Sequence, residues 1–157
     1  MHYELVQCTE ADREWAYALK CEVYREVIER QFGPWNETFQ REHFISRWAP
    51  SISKIIIQGG RRVGLLALID SEGTCLLDEL QVSPESQGRG LGSSIVRDLI
   101  EYSAREKKIL RLEVLKENFR AQALYRKLGF SRSGETTTHM QMTYAHCSVK
   151  DGMPNLK

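Results

Sequence analysis

Gln87-Gly88-Arg89-Gly90-Leu91-Gly92 stands between an apolar, strand-like run at residues 76–82 and an amphipathic, helix-like run at residues 91–107. A loop in that place gathers unpaired backbone N–H groups and the positive end of a helix dipole on one spot, which suits a phosphate or diphosphate. Glycine has no Cβ, so the backbone there bends freely and lets a ligand come close. The chain therefore carries an anion cradle at a strand-to-helix junction.

Two better-known glycine loops are alternatives. A Walker loop needs a lysine and a hydroxyl residue directly after its last glycine, and no lysine follows these glycines before Lys107. A dinucleotide fingerprint needs its third glycine where Ser93 stands, although Glu113, on a later strand, lies at a distance suited to a ribose hydroxyl. A nicotinamide-dependent oxidoreductase therefore stays as a third reading.

The second informative stretch is Asn118-Phe119-Arg120-Ala121-Gln122-Ala123-Leu124-Tyr125-Arg126-Lys127-Leu128-Gly129-Phe130. A polar residue ends a strand, a short helix follows, and Gly129 stops it as a C′ glycine, returning the chain to a strand at Phe130. Gln-x-x-Gly-x-Gly followed at this separation by Asn-x-x-Ala-x-x-Leu-Tyr-x-x-x-Gly-Phe resembles the GNAT superfamily of acyl-CoA-dependent N-acyltransferases. Either half alone is a loose pattern; the ordered pair is specific. By motif the resemblance spans residues 76–130, and elsewhere it rests on element order.

The resemblance implies an acetyl-CoA site. Main-chain amides of Gln87, Gly88, Arg89, Gly90, Gly92 and Ser93 would wrap the coenzyme A diphosphate, with Arg89 adding a cation. Main-chain groups of Leu80 and Val82 would hold the pantetheine arm as an extra strand, and Asn118 would bind it from the other side. Tyr125 occupies the family's general-acid position. Glu113 matches the base of ribosomal-protein N-terminal acetyltransferases, and Asp78 and Glu79 the acidic pair of polyamine-type enzymes. The fourth and fifth strands, residues 74–82 and 109–115, would splay apart around the arm, and association through the last strands near Met140 and Met142 would give a homodimer.

Composition agrees with one ordinary globular domain. The length of 157 residues is enough for a sizeable core, and 22 basic against 21 acidic side chains create no global field toward nucleic acid or membrane. Arg61-Arg62 and Lys107-Lys108 read as solvated turns. Cys8, Cys21, Cys75 and Cys147 show no C-x-x-C pair and no histidines in ligand spacing, so neither a metal site nor a disulfide framework is expected. Thiols of this kind, an N-terminus interrupted by Glu4, Glu10 and Asp12, and the lack of a membrane-length apolar run lead to a cytoplasmic expectation.

Along the chain, residues 2–8 alternate as a strand, and Thr9 with Asp12 resembles a helix start. Trp15, Leu19, Val23 and Val27 recur at helical spacing as a core stripe until Gly33-Pro34, and residues 37–48 form a second helix before Pro50. Residues 53–58 and 63–70 are β-rich around Gly59-Gly60-Arg61-Arg62, a hairpin signal; Asp70-Ser71-Glu72-Gly73 is a second turn, leading into the strand 74–82. After the helix at 91, residues 109–115 return as a strand, 120–128 form the last helix, and 137–146 the last clear strand. The order β-αα-βββ-α-β-α-ββ predicts an α+β fold with a mixed six- to seven-stranded sheet, one domain over residues 1–147 and a tail at 148–157.

Acyl transfer to an amine needs a deprotonated amine, a thioester held close to it, oxyanion stabilisation and a proton for the leaving thiolate. Direct attack within a ternary complex needs no covalent nucleophile, and no serine or cysteine stands out as one. Adjacent strand residues face opposite ways, so only one of Asp78 and Glu79 is expected to face the acceptor. Tyr24, Glu26, Glu29, Trp35, Phe39 and His43 lie on or between the two early helices, an acid-and-aromatic lining suited to a cationic amine; His139 and His146 carry no such signal. An enzyme acetylating a primary amine of a small molecule or peptide is the first reading, and an acyl-CoA-binding sensor without turnover is the alternative.

Overall fold

A computed structural model describes residues 1–146; Cys147 and the expected tail at 148–157 lie outside the described residues. The strands are β1 (Glu4–Gln7), β2 (Ser53–Gln58), β3 (Arg61–Ser71), β4 (Thr74–Val82), β5 (Ile109–Leu115), β6 (Phe130–Glu135) and β7 (His139–Tyr144). The helices are α1 (Arg13–Phe32), α2 (Glu37–Arg47), α3 (Leu91–Arg105) and α4 (Phe119–Lys127). The order of elements is the expected one, and all seven strands form one sheet in the order β1-β2-β3-β4-β5-β7-β6.

Local chemistry sets the boundaries. Thr9 donates its N–H to the Asp12 carboxylate at 2.8 Å, closing a 3₁₀ turn at Glu10–Asp12 that runs into α1. Gly33, at φ 96°, stops α1, a conformation that costs glycine little. Asn36 caps α2 by accepting from Phe39 N–H at 2.9 Å. Gly59 and Gly60 have φ 59° and 75° in the tight turn joining β2 to β3.

Every strand pair is antiparallel except β4–β5, which is parallel. Parallel pairing runs only from Thr74↔Ile109 to Leu77↔Leu112 and stops there. Beyond that point both strands continue, Asp78 to Val82 on one side and Glu113 to Leu115 on the other, without pairing each other. The sheet is therefore forked at its centre, as expected.

Two cores flank the sheet. The larger packs Ile95, Val96 and Leu99 of α3 and Tyr125 of α4 against Cys75, Leu77, Leu110, Leu112 and Met142. The smaller packs Ala16 and Leu19 of α1 against Ile55, Leu65 and Ala67. The expected α1 stripe is displaced: Leu19 is buried, but Trp15, Val23 and Val27 are only partly so, while Ala16, Tyr17 and Ile28 are the other buried positions. The cause is that α1 meets α2 as well as the sheet, with the Tyr17 ring 5.2 Å from that of Phe44. Met142 is fully buried and Met140 packs on the larger core, so both methionines face the chain's own interior.

A register slip in β4 decides what the fork exposes. Leu68 pairs with Leu77 and Ala67 with Glu79, so Asp78 has no opposite residue and forms a bulge. Before the bulge Cys75 and Leu77 face α3; after it Leu80 and Val82 do. Glu79 and Gln81 are thereby turned toward α1. Gly64 permits the close β3–β4 approach beyond the bulge, because a Cβ there would stand 2.2 Å from the Gln81 carbonyl oxygen.

Candidate active site

The glycine loop opens from a 3₁₀ turn at Pro84–Ser86, and positive φ at Gly88 (78°) and Gly90 (88°) bends it onto the N-terminus of α3. The first helical hydrogen bond runs from Ser94 N–H to Gly90 C=O at 3.0 Å. The N–H groups of Gly88, Arg89, Gly90, Leu91, Gly92 and Ser93 donate to no acceptor among the described residues. Six open donors gather at the positive end of a fifteen-residue helix, an arrangement that suits an anion. The Gln87 amide is not among them, since it donates to Pro84 C=O at 3.3 Å. Its side chain instead braces the loop: Nε2 donates to Val82 C=O at 2.8 Å and Oε1 accepts from Arg120 at 2.9 Å.

The free edge of β4 leads from this loop to the fork. Ser83 N–H donates to Val63 C=O at 2.7 Å, so the hydrogen-bonded pairs of the β3–β4 ladder fall at residues 83, 81 and 79. Leu80 and Val82, in the alternate positions, turn their main-chain groups away from β3 toward the space that β5 vacates. An extended chain laid there finds a strand edge. Across the gap, Asn118 caps α4, accepting from Ala121 N–H at 3.2 Å through Oδ1, which leaves its Nδ2 as an open donor among the described residues.

Tyr125, on α4, is only 8% exposed and packs edge-on against Phe130 at 5.6 Å. Its hydroxyl has no hydrogen-bond partner among the described residues. Burial first, and the charge of Glu79 second, raise its pKa, so the phenol stays protonated. Glu79 is half-buried and accepts from Tyr24 OH and from Gln81 Nε2, each at 3.1 Å. Burial raises its pKa above the ordinary carboxylate value; the bonds from Gln81 and Tyr24 and the charge of Lys20 oppose that, while Asp78 adds to it. Tyr24 is held protonated by burial and by the neighbouring carboxylates.

All three sequence-identified acids sit at the fork. Leu77↔Leu112 is the last parallel pair, and Asp78 and Glu113 are the next residues on either side. The expectation that only one of Asp78 and Glu79 faces the acceptor assumes strict alternation, which the bulge breaks at Asp78. Asp78 is exposed, yet its charge reaches both Tyr24 and Glu79. Glu113 is exposed beside β7, where its charge favours protonated His139 against the stronger effect of burial.

The residues of the expected acceptor wall take different partners. Of its residues, Tyr24 reaches the fork, but Glu26 and Glu29 are exposed and pair with Arg30 at 3.7 Å and Arg25 at 2.6 Å. Trp35 donates to Glu37 at 2.8 Å, and Phe39 stacks on His43 with centroids 5.8 Å apart. Sequence reasoning missed Gln81 and Lys20. Gln81 is 5% exposed and orients Glu79; Lys20 stands one turn before Tyr24, so the i,i+4 spacing on α1 was the available signal. His146 lies apart from the fork, against Ser103 and Tyr144.

Comparison with known proteins adds the family. The profile described as "Acetyltransferase (GNAT) family" matches residues 21–130. An 80-residue segment, 48% of the chain, is 35% identical to the spermidine N(1)-acetyltransferase of Escherichia coli (strain K12) and covers 43% of it. A 53-residue segment, 34% of the chain, is 42% identical to the N-alpha-acetyltransferase RimI of Mycobacterium tuberculosis (strain ATCC 25618 / H37Rv) and covers 32% of it. The chain thus spans less than half the length of these curated relatives. In fold it matches the PaiA N-acetyltransferase of Thermoplasma acidophilum, solved in complex with coenzyme A, with a TM-score of 0.75 over 93% of this chain and 100% of that one, at 14% identity.

Proposed function

We propose that this chain, which belongs to the acetyltransferase (GNAT) family, transfers an acetyl group from acetyl-CoA to a primary amine by direct attack within a ternary complex. One observation carries the reading: six open amides at the head of α3 adjoin a sheet fork that brings a buried tyrosine and a half-buried carboxylate near each other. The residues present fit coenzyme A. The amides of residues 88–93 suit its diphosphate, and Gly92, where a Cβ would meet only Leu124 at 3.9 Å, leaves the head of α3 open to close approach. The main-chain groups of Leu80 and Val82 suit an amide-bearing arm, with Asn118 Nδ2 opposite.

Acetyl-CoA, when bound, supplies the activated acetyl carbonyl. The chain supplies the proton transfers. Glu79, with its pKa raised by burial, takes a proton from the acceptor ammonium through water, and Asp78 and Glu113 keep the fork negative around it. Tyr24 and Gln81 fix the Glu79 carboxylate. The Tyr125 hydroxyl gives its proton to the thiolate as the carbon–sulfur bond breaks and regains one from solvent. The absence of a protein partner for that hydroxyl among the described residues leaves it free for this bond.

Thiol release from acetyl-CoA across a panel of amines tests the reading. Turnover with some amine is expected, and Tyr125→Phe should lower kcat while the affinity for acetyl-CoA stays within threefold. Tight coenzyme A binding without turnover across polyamines, amino acids and peptide N-termini would leave a binding module and refute the enzyme.

A further inference from the structure

The two helices that stand over the fork divide their charges unevenly. Four acids of α1 and α2 have partners: Glu14 pairs with Arg41 at 2.9 Å, Glu29 with Arg25 at 2.6 Å and Glu26 with Arg30 at 3.7 Å, while Glu37 accepts from Tyr17 at 2.9 Å and from Trp35; the other two, Glu22 and Glu42, are exposed and lie about 160° round α1 from Lys20 and about 140° round α2 from Arg47. Lys20 and Arg47 make no ion pair among the described residues. Lys20 lies one helical turn, about 6 Å, from Tyr24 and shares its face of α1; Tyr24 in turn touches Glu79. The Lys20 ammonium is 5.8 Å from the Phe44 ring, at the seam where α2 docks on α1. One turn of α2 likewise carries His43 and Arg47 on one face.

These groups feel one another. Burial makes the Lys20 charge costly, Glu79 favours it and Arg47 opposes it. Burial also holds His43 toward its neutral form, and the charges of Lys20 and Arg47 add to that; His139 is held down by burial and by Arg47, against Glu113. A positive rim therefore faces an acidic fork, the reverse of an acid-lined mouth. A polyamine placing one nitrogen at Glu79 would bring its next ammonium against the rim; a carboxylate would neutralise it.

Resting on the acetyl-transfer reading above, we infer that the acceptor is a small primary amine that carries its own carboxylate, the amine seated at Glu79 and the carboxylate held by Lys20 and Arg47. The substrate is an amino-acid-like zwitterion matched to a dipolar groove.

Matched pairs differing only in the carboxylate test this: lysine against cadaverine and ornithine against putrescine, with spermidine and a neutral tetrapeptide amide as further acceptors, each followed by thiol release from acetyl-CoA. The carboxylate-bearing member should show a kcat/KM at least tenfold higher, through KM. Lys20→Met, and independently Arg47→Gln, should lower that ratio tenfold or more through KM, and Lys20→Arg should restore most of it. The coenzyme A affinity of each variant serves as the check on folding. Equal or better turnover of the decarboxylated member, preference for spermidine or the peptide, or a ratio unmoved by both variants overturns the inference while leaving acetyl transfer standing. Failure of every amine overturns acetyl transfer itself, and this inference with it.

Discussion

Glu79→Gln should move activity and stability in opposite directions at neutral pH. The amide keeps the shape of the carboxylate and can still accept from Tyr24 OH and Gln81 Nε2, which lie at 3.1 Å each, but it cannot take a proton. Loss of a positioned base costs roughly 10²–10⁴ in rate, about 3 to 5 kcal/mol. For stability, burial raises the folded pKa of Glu79 above its ordinary value. The folded state therefore binds the proton more tightly than the unfolded chain. That contribution is fully present below the ordinary carboxylate value and is lost as pH rises through the folded pKa. Glutamine does not ionise, so the variant should match the parent near pH 4 and melt higher near pH 8, by about 2–4 °C for each kcal/mol recovered in a chain of this size. Thiol-release kinetics at pH 8 and thermal melts at both values measure the two effects. Activity within threefold of the parent, or a lower melting temperature at pH 8, would refute the assignment, because a residue that only holds the fold together loses both together.

Three other substitutions probe the surroundings. Tyr24→Phe removes a hydrogen bond to the charged form of Glu79, which raises that carboxylate's pKa further; the acid limb of kcat/KM should move to higher pH, with rates on it falling roughly 10- to 100-fold at fixed pH. A limb that stays in place would separate Tyr24 from the base. Gly92→Ala has ordinary backbone and its nearest neighbour at 3.9 Å, so the melting temperature should hold or rise while coenzyme A affinity falls tenfold or more by titration. Unchanged affinity would place the diphosphate elsewhere. Gly64→Ala drives a Cβ to 2.2 Å from the Gln81 carbonyl oxygen and should cost about 3 kcal/mol in urea unfolding, with a loss below 0.5 kcal/mol contradicting the close β3–β4 contact.

Much of this architecture is legible in the residues. Ser53–Gln58, Thr74–Val82 and Ile109–Leu115 are runs rich in Ile, Leu and Val bounded by glycine, proline or charge, and the structure places these strands at those residues. The glycine loop and the Asn118 cap follow equally from local chemistry. The Asp78 bulge does not, because a register slip is settled between strands and leaves no mark in the alternation of one of them. Tyr24 and Glu79 are 55 residues apart, so their contact exists only once α1 crosses the fork. The displaced stripe on α1 has the same origin, since a helix packed on two neighbours has no single apolar face. Glu26 and Glu29 looked like a lining for a cation, although their i,i+4 spacing to Arg30 and Arg25 was there to be read, and the structure forms both pairs.

The structure of the protein with coenzyme A bound tests the central claim most directly. The diphosphate should accept hydrogen bonds from the amides of residues 88–93, with the arm along Leu80 and Val82 and its sulfur within hydrogen-bond reach of the Tyr125 hydroxyl. A diphosphate seated away from that loop, or a sulfur directed away from the fork between Asp78 and Glu113, would contradict it.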